Sequence, residues 1–391
     1  MDEKQVYVDI VKRVLAHVAA GTTDSAEAPL RIPTAVYTDA ELFELEKTKI
    51  FKDSPQFVCF SSDLPGPGTY YTFDDLDTPV LLTRDAQGSL HAFLNSCMHR
   101  GARLKEGCGT TAALSCPYHA WGYDLKGKLR TIFQERSFGT IDKSCYDLVR
   151  LPAEEKYGMV FVGMKPGVKV SIDEELGSVA PLFALWKLED VKLVNSHEWN
   201  VPINWKLALD TFCEGYHFGP LHRATLGDVS IGNLSLFDRF GPDNRNHRLA
   251  FPNTTIKQLK DVPASDWGLE IGNEFQLVHF IYPNISILVS PLAVEFFQIY
   301  PGKTFDEHRT RYRCYWRSLG DGGWGVTDPQ GHFEFVRDIV TKEDYWVGAN
   351  VMKNLKAGLR EFNTFGRNEP ALHNMHRAFA QGVGRSLDNA A

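Results

Sequence analysis

Residues 97–101 of this chain read Cys-Met-His-Arg-Gly, and residues 116–121 read Cys-Pro-Tyr-His-Ala-Trp. Each stretch offers one thiolate and one imidazole. Both lie beside runs that are typical of short β-strands, so two loops could present all four side chains at one tip of a β domain. The sequence therefore predicts a metal centre with four ligands: Cys97, His99, Cys116 and His119.

The distribution of these ligands favours an iron–sulfur cluster over zinc. In a [2Fe–2S] centre with mixed ligands, the cysteines bind one iron and the histidines bind the other, so each loop donates one of each. A structural zinc knuckle is the alternative, although Cys-x-His is an unusual opening for a zinc site. Cys108 lies between the two pairs, matches no ligand position and is interpreted as a loop thiol.

The two stretches resemble the ligand loops of Rieske domains in ring-hydroxylating oxygenases. Respiratory Rieske proteins carry an extra cysteine in each loop, and Ala102 and Tyr118 occupy those places here. The resemblance is therefore to the oxygenase or ferredoxin type. A free-standing Rieske ferredoxin needs only about a hundred residues, so the 225 residues from 167 to 391 require a further explanation.

A second candidate metal site lies in the run 204–222, which contains His217 and His222. On an unbroken helix, residues five apart point about 140° away from each other and could not bind one metal ion. Gly219 and Pro220 stop such a helix, so a turn can bring the second histidine beside the first. Two imidazoles with one carboxylate leave open positions on Fe(II) for oxygen. Two ordinary histidines at a helix end are the alternative.

The third ligand of this site is predicted to be Asp344. An ionised carboxylate is costly to bury without a partner, and a metal ion is one such partner. A water-facing pair, Glu343 and Asp344, is the alternative. The choice of Asp344 rests on an apolar stripe of the predicted C-terminal helix, which consists of Val336, Val340, Val347 and Val351.

The string Glu-Gly-Tyr-His-x4-His, residues 214–222, resembles the iron motif of Rieske non-heme iron oxygenases. In that family the carboxylate ligand is the last acid of an acidic pair, which Glu343-Asp344 resembles. The chain departs from the family pattern further along, because Met352 and Lys353 lie where a glutamine is usual. The resemblance nevertheless implies His217, His222 and Asp344 as the ligands of a mononuclear iron.

The same resemblance implies a role for Glu214. In the family, an acid three residues before the first iron histidine bridges a Rieske histidine of one subunit to the iron ligand of the next. Most members have aspartate there, and glutamate keeps the acceptor oxygens. Asp210, one helical turn earlier, could support iron or proton delivery, and a capping or salt-bridge role is the alternative.

The resemblance covers nearly the whole chain and implies an α+β fold. A small all-β Rieske domain, residues 46–166, follows an N-terminal helical segment, residues 1–45, that packs on the catalytic domain. Residues 167–391 form that domain, of the helix-grip, START-like type with an antiparallel sheet.

Local patterns predict the elements of these domains. Helices are predicted at residues 3–19, 39–49, 205–216 and 333–359, and a linker at 21–33. Strands are predicted at 56–60, 68–73, 79–83, 91–94, 129–132, 159–162, 275–282, 285–289, 294–300 and 309–316.

The family resemblance implies an oxidoreductase that uses O₂ and electrons from NAD(P)H to hydroxylate or dihydroxylate an organic, aromatic substrate. Electrons arrive through a reductase, sometimes with a ferredoxin, at a [2Fe–2S] cluster and pass to the mononuclear Fe(II) of a neighbouring subunit. A homotrimer, or an α3β3 assembly with a small subunit, is implied, and so is a role in aromatic hydrocarbon catabolism. A monooxygenase or demethylase is the alternative, and a non-catalytic Rieske carrier or zinc protein is a remote one.

A mainly apolar pocket is expected beside the iron. For His279, a hydrogen bond to a substrate is the alternative, and a core histidine is the preferred interpretation. Candidate pocket residues are Leu209, Phe212, Phe280, Leu288 and Phe296.

The composition excludes some functions. A net charge of −7 argues against a nucleic-acid partner. The N-terminus has acidic residues where a signal peptide is basic, and no run is apolar enough for a membrane span, so a cytoplasmic location is predicted. Seven thinly spread cysteines favour buried thiols and metal ligands over disulfides.

Overall fold

The computed structural model describes residues 3–290, 292–317 and 328–387. The chain forms two compact units. The smaller unit comprises Lys47–Ile172 and Lys187–Asp190, and the larger comprises Met1–Glu46, Asp173–Trp186 and Val191–Ala391. The predicted range 46–166 differs from the long segment of the smaller unit by one residue at its start and six at its end.

The smaller unit is built from short antiparallel strands in three sheets. Each of the six strands predicted here overlaps an observed strand. The four-stranded sheet contains, in pairing order, Leu90–Leu94, Val80–Arg84, Thr69–Phe73 and Cys108–Thr110. One three-stranded sheet contains Ala153–Lys156, Met159–Gly163 and Pro55–Phe60, and the other contains Leu114–Ser115, Gly122–Tyr123 and Leu129–Thr131. Short helical turns occupy Lys47–Phe51, Ser61–Asp63, Glu135–Phe138 and Lys143–Tyr146.

The larger unit contains a seven-stranded antiparallel sheet. The four strands predicted here are all present. Three more were not predicted; Lys192–Val201 reads Lys-Leu-Val-Asn-Ser-His-Glu-Trp-Asn-Val, which lacks the apolar alternation of a half-buried strand. In pairing order the strands are Lys192–Val201, His308–Trp316, Ala293–Pro301, Ile285–Val289, Phe275–Ile281, Asn246–Pro252 and Leu236–Phe240.

The N-terminal helix, Glu3–Ala20, buries Val8, Val11 and Val14. It contacts the helical turns Thr254–Asp261 and Leu269–Glu274, within the same unit as the large sheet. The predicted linker that follows is not wholly irregular, because Leu30–Pro33 pairs with Phe362–Phe365 in a two-stranded sheet. Further short helices of this unit are Ala35–Thr38, Ala40–Glu46, Ile172–Leu176, whose first residue belongs to the smaller unit, Gly177–Val179, Ala180–Trp186, Pro242–Asn244 and Ala264–Asp266. The last helix is Pro370–Gly382.

The helix predicted over 205–216 is shorter than expected. It spans Trp205–Asp210, and Asn204 caps it by accepting the Lys206 amide hydrogen. Glycines and a proline at 215, 219 and 220 disfavour helix, so the chain continues as successive turns.

The helix predicted over 333–359 begins earlier and is not uniform. Pro329–Ile339 and Tyr345–Lys356 are α-helical, and Val340–Asp344 between them is a π-helical turn. The wider turn alters the helical register of the residues that follow it, and Val347 and Val351 are only partly buried, as is Val336 before the turn. The buried positions include Val340, Asp344, Gly348 and Met352. No helix in the described part of the chain has the length and apolar character needed to span a membrane.

Candidate metal sites

The two loops of the predicted cluster site share one backbone pattern. The amide of Gly101 donates to the carbonyl of Cys97 at 2.8 Å, and the amide of Ala120 donates to that of Cys116 at 3.0 Å. Gly101 and Ala120 both have left-handed backbone, with φ of 80° and 53°. That conformation is easy for glycine and uncommon for alanine. Each loop is therefore a tight turn that begins at its cysteine.

The two loops place their cysteines near each other and their histidines near each other. Cys97 and Cys116 lie in the same buried cluster, and the ring centroids of His99 and His119 are 4.6 Å apart. Within the described residues, neither histidine Nδ1 has a hydrogen-bond partner, although both atoms are buried. Buried nitrogens are nearly always partnered. The residues present therefore fit a cluster that takes two thiolates and two imidazole nitrogens.

Aromatic residues surround this centre, and sequence reasoning missed one that contacts a ligand. The Tyr123 hydroxyl lies 3.3 Å from the Sγ of Cys97 and accepts a hydrogen bond from the Met98 amide at 3.1 Å. The Trp121 ring stacks on His99 with centroids 4.9 Å apart. Burial raises the pKa of the Cys97 thiol, and the nearby Cys116 also raises it. The alternation of Trp121 and Tyr123, just before and within the strand Gly122–Tyr123, was the available signal.

The other cysteines do not extend this centre. All seven cysteines are free of disulfides, as expected. Cys108 is exposed and lies in the strand Cys108–Thr110, so its interpretation as a loop thiol is corrected to a strand-edge thiol.

The structure brings His217, His222 and Asp344 together. One candidate ligand atom from each lies within 4.8 Å of the others, and no other such group of three occurs among the described residues. The Oδ1 of Asp344 is 3.5 Å from the Nε2 of His217 and 3.3 Å from the Nε2 of His222. A turn, in which the Leu221 amide donates to the His217 carbonyl, brings the histidines to one side. The three donors fit a facial triad for Fe(II).

Each histidine of this triad is held by a glutamate on its far side. The Nδ1 of His217 hydrogen-bonds Glu214, and the Nδ1 of His222 lies 2.5 Å from the Oε2 of Glu343. Both Nε2 atoms therefore face Asp344. Sequence reasoning considered Glu343 only as a rival ligand and missed this contact.

The carboxylates also shift the protonation of the triad. Burial alone lowers the pKa of His217, but hydrogen bonds to Asp344 and Glu214 outweigh burial and raise it to about 9. The pKa of His222 is raised for the same reason, against its burial. Burial raises the pKa of Asp344, and its two histidine partners outweigh that effect and lower it. A metal ion must therefore displace protons to bind here.

Asp210 lies in a hydrogen-bond network with Tyr37 and His376. The hydroxyl of Tyr37 donates to its Oδ2 at 2.6 Å, and the Nε2 of His376 lies 2.8 Å from its Oδ1. Asp210 is not among the residues that line the cavity beside the triad. These hydrogen bonds give Asp210 a structural role, and a role in iron or proton delivery stays a prediction.

A cavity of about 580 Å³ adjoins the triad. Phe212 and Leu288 line it, as do phenylalanines at 218, 251, 275, 297 and 335. Thr225, which is near Glu343, and the triad itself lie at the iron end. The cavity is therefore mainly apolar and large enough for a small organic molecule.

Three predicted pocket residues do not line this cavity. Phe296 is fully buried but points to the opposite face of its strand from Phe297, because side chains alternate along a strand. Phe280 stacks on His247 and contacts Phe379 of the last helix. Leu209 is a fully buried core residue of the helix Trp205–Asp210.

His279 is a core residue. Its ring packs between Phe183 and Trp186, at centroid distances of 5.5 and 5.2 Å. Burial holds its pKa well below the usual value. It does not line the cavity, which agrees with the interpretation preferred from the sequence.

Two family models match the chain. Residues 54–144 match the Rieske [2Fe-2S] domain, and residues 188–384 match the ring hydroxylating alpha subunit (catalytic domain). The second match covers half of the chain. The chain belongs to the Rieske-type ring-hydroxylating oxygenase family. The predicted family, fold class and oxygen-incorporating oxidoreductase activity are confirmed.

This Rieske oxygenase has relatives of two kinds. It is 34% identical over 333 residues to the carnitine monooxygenase oxygenase subunit of Escherichia coli K12, which covers 83% of this chain and 84% of that one. It is 30% identical over 296 residues to the benzene 1,2-dioxygenase subunit alpha of Pseudomonas putida, covering 66% and 65%. The quaternary ammonium Rieske monooxygenase CntA with L-carnitine has a TM-score of 0.74 at 23% identity, covering 92% and 95%, which shows the shared fold.

Family membership confirms the predicted cofactors. The Rieske oxygenase carries a [2Fe–2S] cluster and a mononuclear iron, uses O₂, and takes electrons from a reductase to act on a small organic molecule. The prediction of aromatic hydrocarbon catabolism is not confirmed, because relatives of both kinds match the chain. The trimer also stays a prediction.

Proposed function

We propose that this protein is a Rieske monooxygenase that hydroxylates a C–H bond of a small, non-anionic organic substrate. The cavity beside the triad carries the proposal. Its lining is mainly apolar, it includes four carboxylates, and no lysine or arginine lines it in the part of the chain that the structure describes. Such a lining disfavours an aromatic acid, because a carboxylate substrate would meet like charge without a cationic partner.

The relatives support monooxygenation. The carnitine monooxygenase oxygenase subunit is matched over 83% of this chain, and the glycine betaine monooxygenase oxygenase subunit of Chromohalobacter salexigens is 32% identical over 200 residues. The benzene dioxygenase alpha subunit is matched over a smaller share of the chain, 66%. Hydroxylation at an N-methyl carbon would give a demethylase, which is one form of this proposal.

We assign the cofactor ligands to the residues that the sequence predicted. Cys97, His99, Cys116 and His119 would hold the cluster, and His217, His222 and Asp344 would hold the iron. When bound, the cluster supplies electrons and the ferrous ion supplies the chemistry of O₂. The unpartnered histidine nitrogens in one site and the converging donor atoms in the other support these assignments.

The remaining residues of the site orient the metal ligands and exclude water from the cavity. Glu214 and Glu343 fix the two imidazole rings so that Nε2 faces the metal position. The phenylalanines of the cavity exclude water and hold the apolar part of a substrate.

We further propose a cytoplasmic homotrimer in which Glu214 of one subunit contacts a Rieske histidine of the next. Two exposed tyrosines support such an interface: Tyr216, 60% exposed, follows Glu214, and Tyr118, 58% exposed, precedes His119. Light scattering would test the trimer. A small β subunit would appear as a second chain that co-purifies from the native source.

Dihydroxylation of an aromatic ring is the second candidate. The benzene 1,2-dioxygenase relative and the phenylalanine-rich cavity favour it. One experiment distinguishes monooxygenation from ring dihydroxylation. The holoenzyme, a surrogate reductase and NADH are incubated with methylated amines, aromatic hydrocarbons and aromatic acids, and O₂ uptake and product mass are measured.

We expect O₂ uptake that depends on a neutral or cationic substrate, with a product that has gained one oxygen atom or lost a methyl group. A product that carries two new hydroxyl groups on a ring would establish the second candidate instead. Turnover restricted to aromatic acids would overturn the argument from the acidic cavity.

A further inference from the structure

Glu295 is a buried acid in the apolar wall of the cavity. It lies in the strand Ala293–Pro301, is 4% exposed, and faces the cavity together with Phe297, two residues further along. Val294 and Phe296 on either side point to the other face of the sheet. Across the sheet, Glu295 is paired with Leu288, which also lines the cavity. Sequence reasoning missed Glu295, although a single acid in an apolar strand was the signal.

Only one oxygen of Glu295 is engaged. The Tyr312 hydroxyl donates to Oε1 at 3.2 Å, and the Nε2 of His332 lies 3.2 Å from the same oxygen without the alignment of a hydrogen bond. The other oxygen, Oε2, has no partner among residues 3–290, 292–317 and 328–387. A carboxylate in apolar surroundings is costly unless it is paired. One acceptor oxygen is therefore available to a molecule in the cavity.

Glu295 lies apart from the triad along the cavity wall, beside His332. Its neighbour His332 is twelve residues before Asp344 in the continuous helical segment from Pro329 to Lys356. At about 1.5 Å per residue, the two positions are roughly 15–18 Å apart along the helix axis. A molecule that reaches both positions must be elongated.

The charge of the cavity favours a cation beside Glu295. The lining carboxylates belong to Glu214, Glu295, Asp328 and Asp344. A ferrous ion offsets two of these charges, and a protonated His332 would offset at most one more. With its four carboxylates ionised, the described lining therefore retains negative charge when the iron is bound and His332 is protonated. Phe297, beside Glu295, adds an aromatic surface of the kind that contacts quaternary ammonium groups.

We propose that Glu295 binds an ammonium head group of the substrate, protonated or quaternary, and that the carbon oxidised at the iron lies at the opposite end of the molecule. The inference rests on the proposed function and adds the substrate class and its orientation. The substrate would then have a positive charge, an elongated apolar body, and a C–H bond at its far end.

The test compares two ligands that differ only in charge. One is 3-phenylpropyltrimethylammonium, and the other is its uncharged isostere with carbon in place of nitrogen. Their affinities for the metal-loaded enzyme are measured by calorimetry without turnover. We expect the cation to bind at least about tenfold more tightly, and Glu295→Gln to abolish that preference while leaving the affinity for the isostere unchanged. Equal affinities in the natural enzyme would overturn the proposal.

Asp328→Asn is the matched control. Asp328 lines the same cavity, but it is exposed, so its charge is screened by solvent. We expect this variant to keep most of the preference for the cation. A loss as large as that in Glu295→Gln would show that the overall field, and not contact with Glu295, selects the charge.

A measurement on the natural enzyme covers the case in which Glu295→Gln fails to fold. The position of the new oxygen in the product of the cationic ligand is determined by mass fragmentation. Oxidation at the phenyl end supports the proposal, and oxidation at an N-methyl group overturns it. Cation-selective binding without any oxygenation would refute the proposed function and leave the Glu295 site standing.

Discussion

The Oε2 of Glu343 lies 2.5 Å from the Nδ1 of His222, a contact that joins residues 121 positions apart in sequence. Glu343 also accepts a hydrogen bond from the Thr225 hydroxyl at 3.0 Å. On the other side of the triad, Glu214 makes the corresponding contact with His217. Two glutamates therefore orient the two proposed iron histidines.

Glu343→Gln is expected to weaken iron binding by about 10- to 100-fold, because an outer partner that fixes a ligand ring usually has an effect of this size. Iron content after dialysis against a graded chelator measures it, and the Rieske absorption should be unchanged. Glu334→Gln, an exposed glutamate on the same helix, is the control. Equal iron retention in both variants would contradict the positioning role.

Asp344→Ala is expected to remove the mononuclear iron and all turnover while the Rieske absorption remains. Two imidazoles without the carboxylate leave the metal with too few protein ligands. Metal analysis and O₂ uptake are the measurements. Asp338→Ala, a half-exposed acid on the same helix that pairs with Arg337 and Lys342, should retain both iron and activity. Retained turnover in Asp344→Ala would place the ligand elsewhere.

Tyr123→Phe is expected to lower the reduction potential of the cluster. A hydrogen bond from the Tyr123 hydroxyl to the Sγ of Cys97, 3.3 Å away, stabilises the more negative reduced state, so its loss favours oxidation. A spectroelectrochemical titration measures the change. Tyr146→Phe removes the hydroxyl of another tyrosine, whose ring packs against Trp121, and should leave the reduction potential of the cluster unchanged. A colourless protein that contains zinc and no acid-labile sulfide would refute the cluster assignment altogether.

His332→Gln is expected to destabilise the protein more at about pH 6 than at about pH 9. Burial alone lowers the pKa of His332, but the carboxylate of Glu295 outweighs burial and raises it. The folded pKa is then above the unfolded value of about 6.5, so protonation stabilises the fold below that value. This stability is lost as the pH rises through the folded pKa. Thermal midpoints at the two pH values are the measurement.

His197→Gln provides a control of opposite sign. Burial, with Arg337 nearby, lowers the pKa of His197, so its protonation opposes folding at low pH. Replacing His197 should therefore raise the thermal midpoint more at about pH 6 than at about pH 9. If the effect of His332→Gln did not change with pH, the ion pair with Glu295 would not contribute to stability.

Glu46→Ala is expected to destabilise the larger unit by about 3–5 kcal/mol, because it leaves the buried ammonium of Lys206 without its partner. The two side chains are 3% and 2% exposed, and the Nζ of Lys206 is 2.6 Å from Glu46. Chemical denaturation of the holoenzyme measures the change. Replacing both residues, as Glu46→Leu with Lys206→Met, should recover much of the loss. An unaffected single variant would show that water reaches the lysine.

Local sequence determined much of the secondary structure. The strands within 275–316 alternate or are continuously apolar, and each was predicted close to its observed bounds. The polar edge strand Lys192–Val201 was not, because its hydrogen bonds to the strand His308–Trp316 define it more than its own side chains do. The π-turn Val340–Asp344 was also missed. The prediction of Asp344 as a buried acid held although its supporting valine stripe was only partly correct.

By itself, the sequence determined the family, the two metal centres and the candidate ligands. Ligand chemistry confines the cysteines and histidines to short fixed spacings, and these can be read without knowing the fold. Only the tertiary structure decided which side chains surround the ligands: Glu343 on His222, Tyr123 beside Cys97, and Glu295 in place of Phe296 on the cavity wall. Those relationships depend on strand pleat, helix register and contacts between distant segments, which no local pattern records.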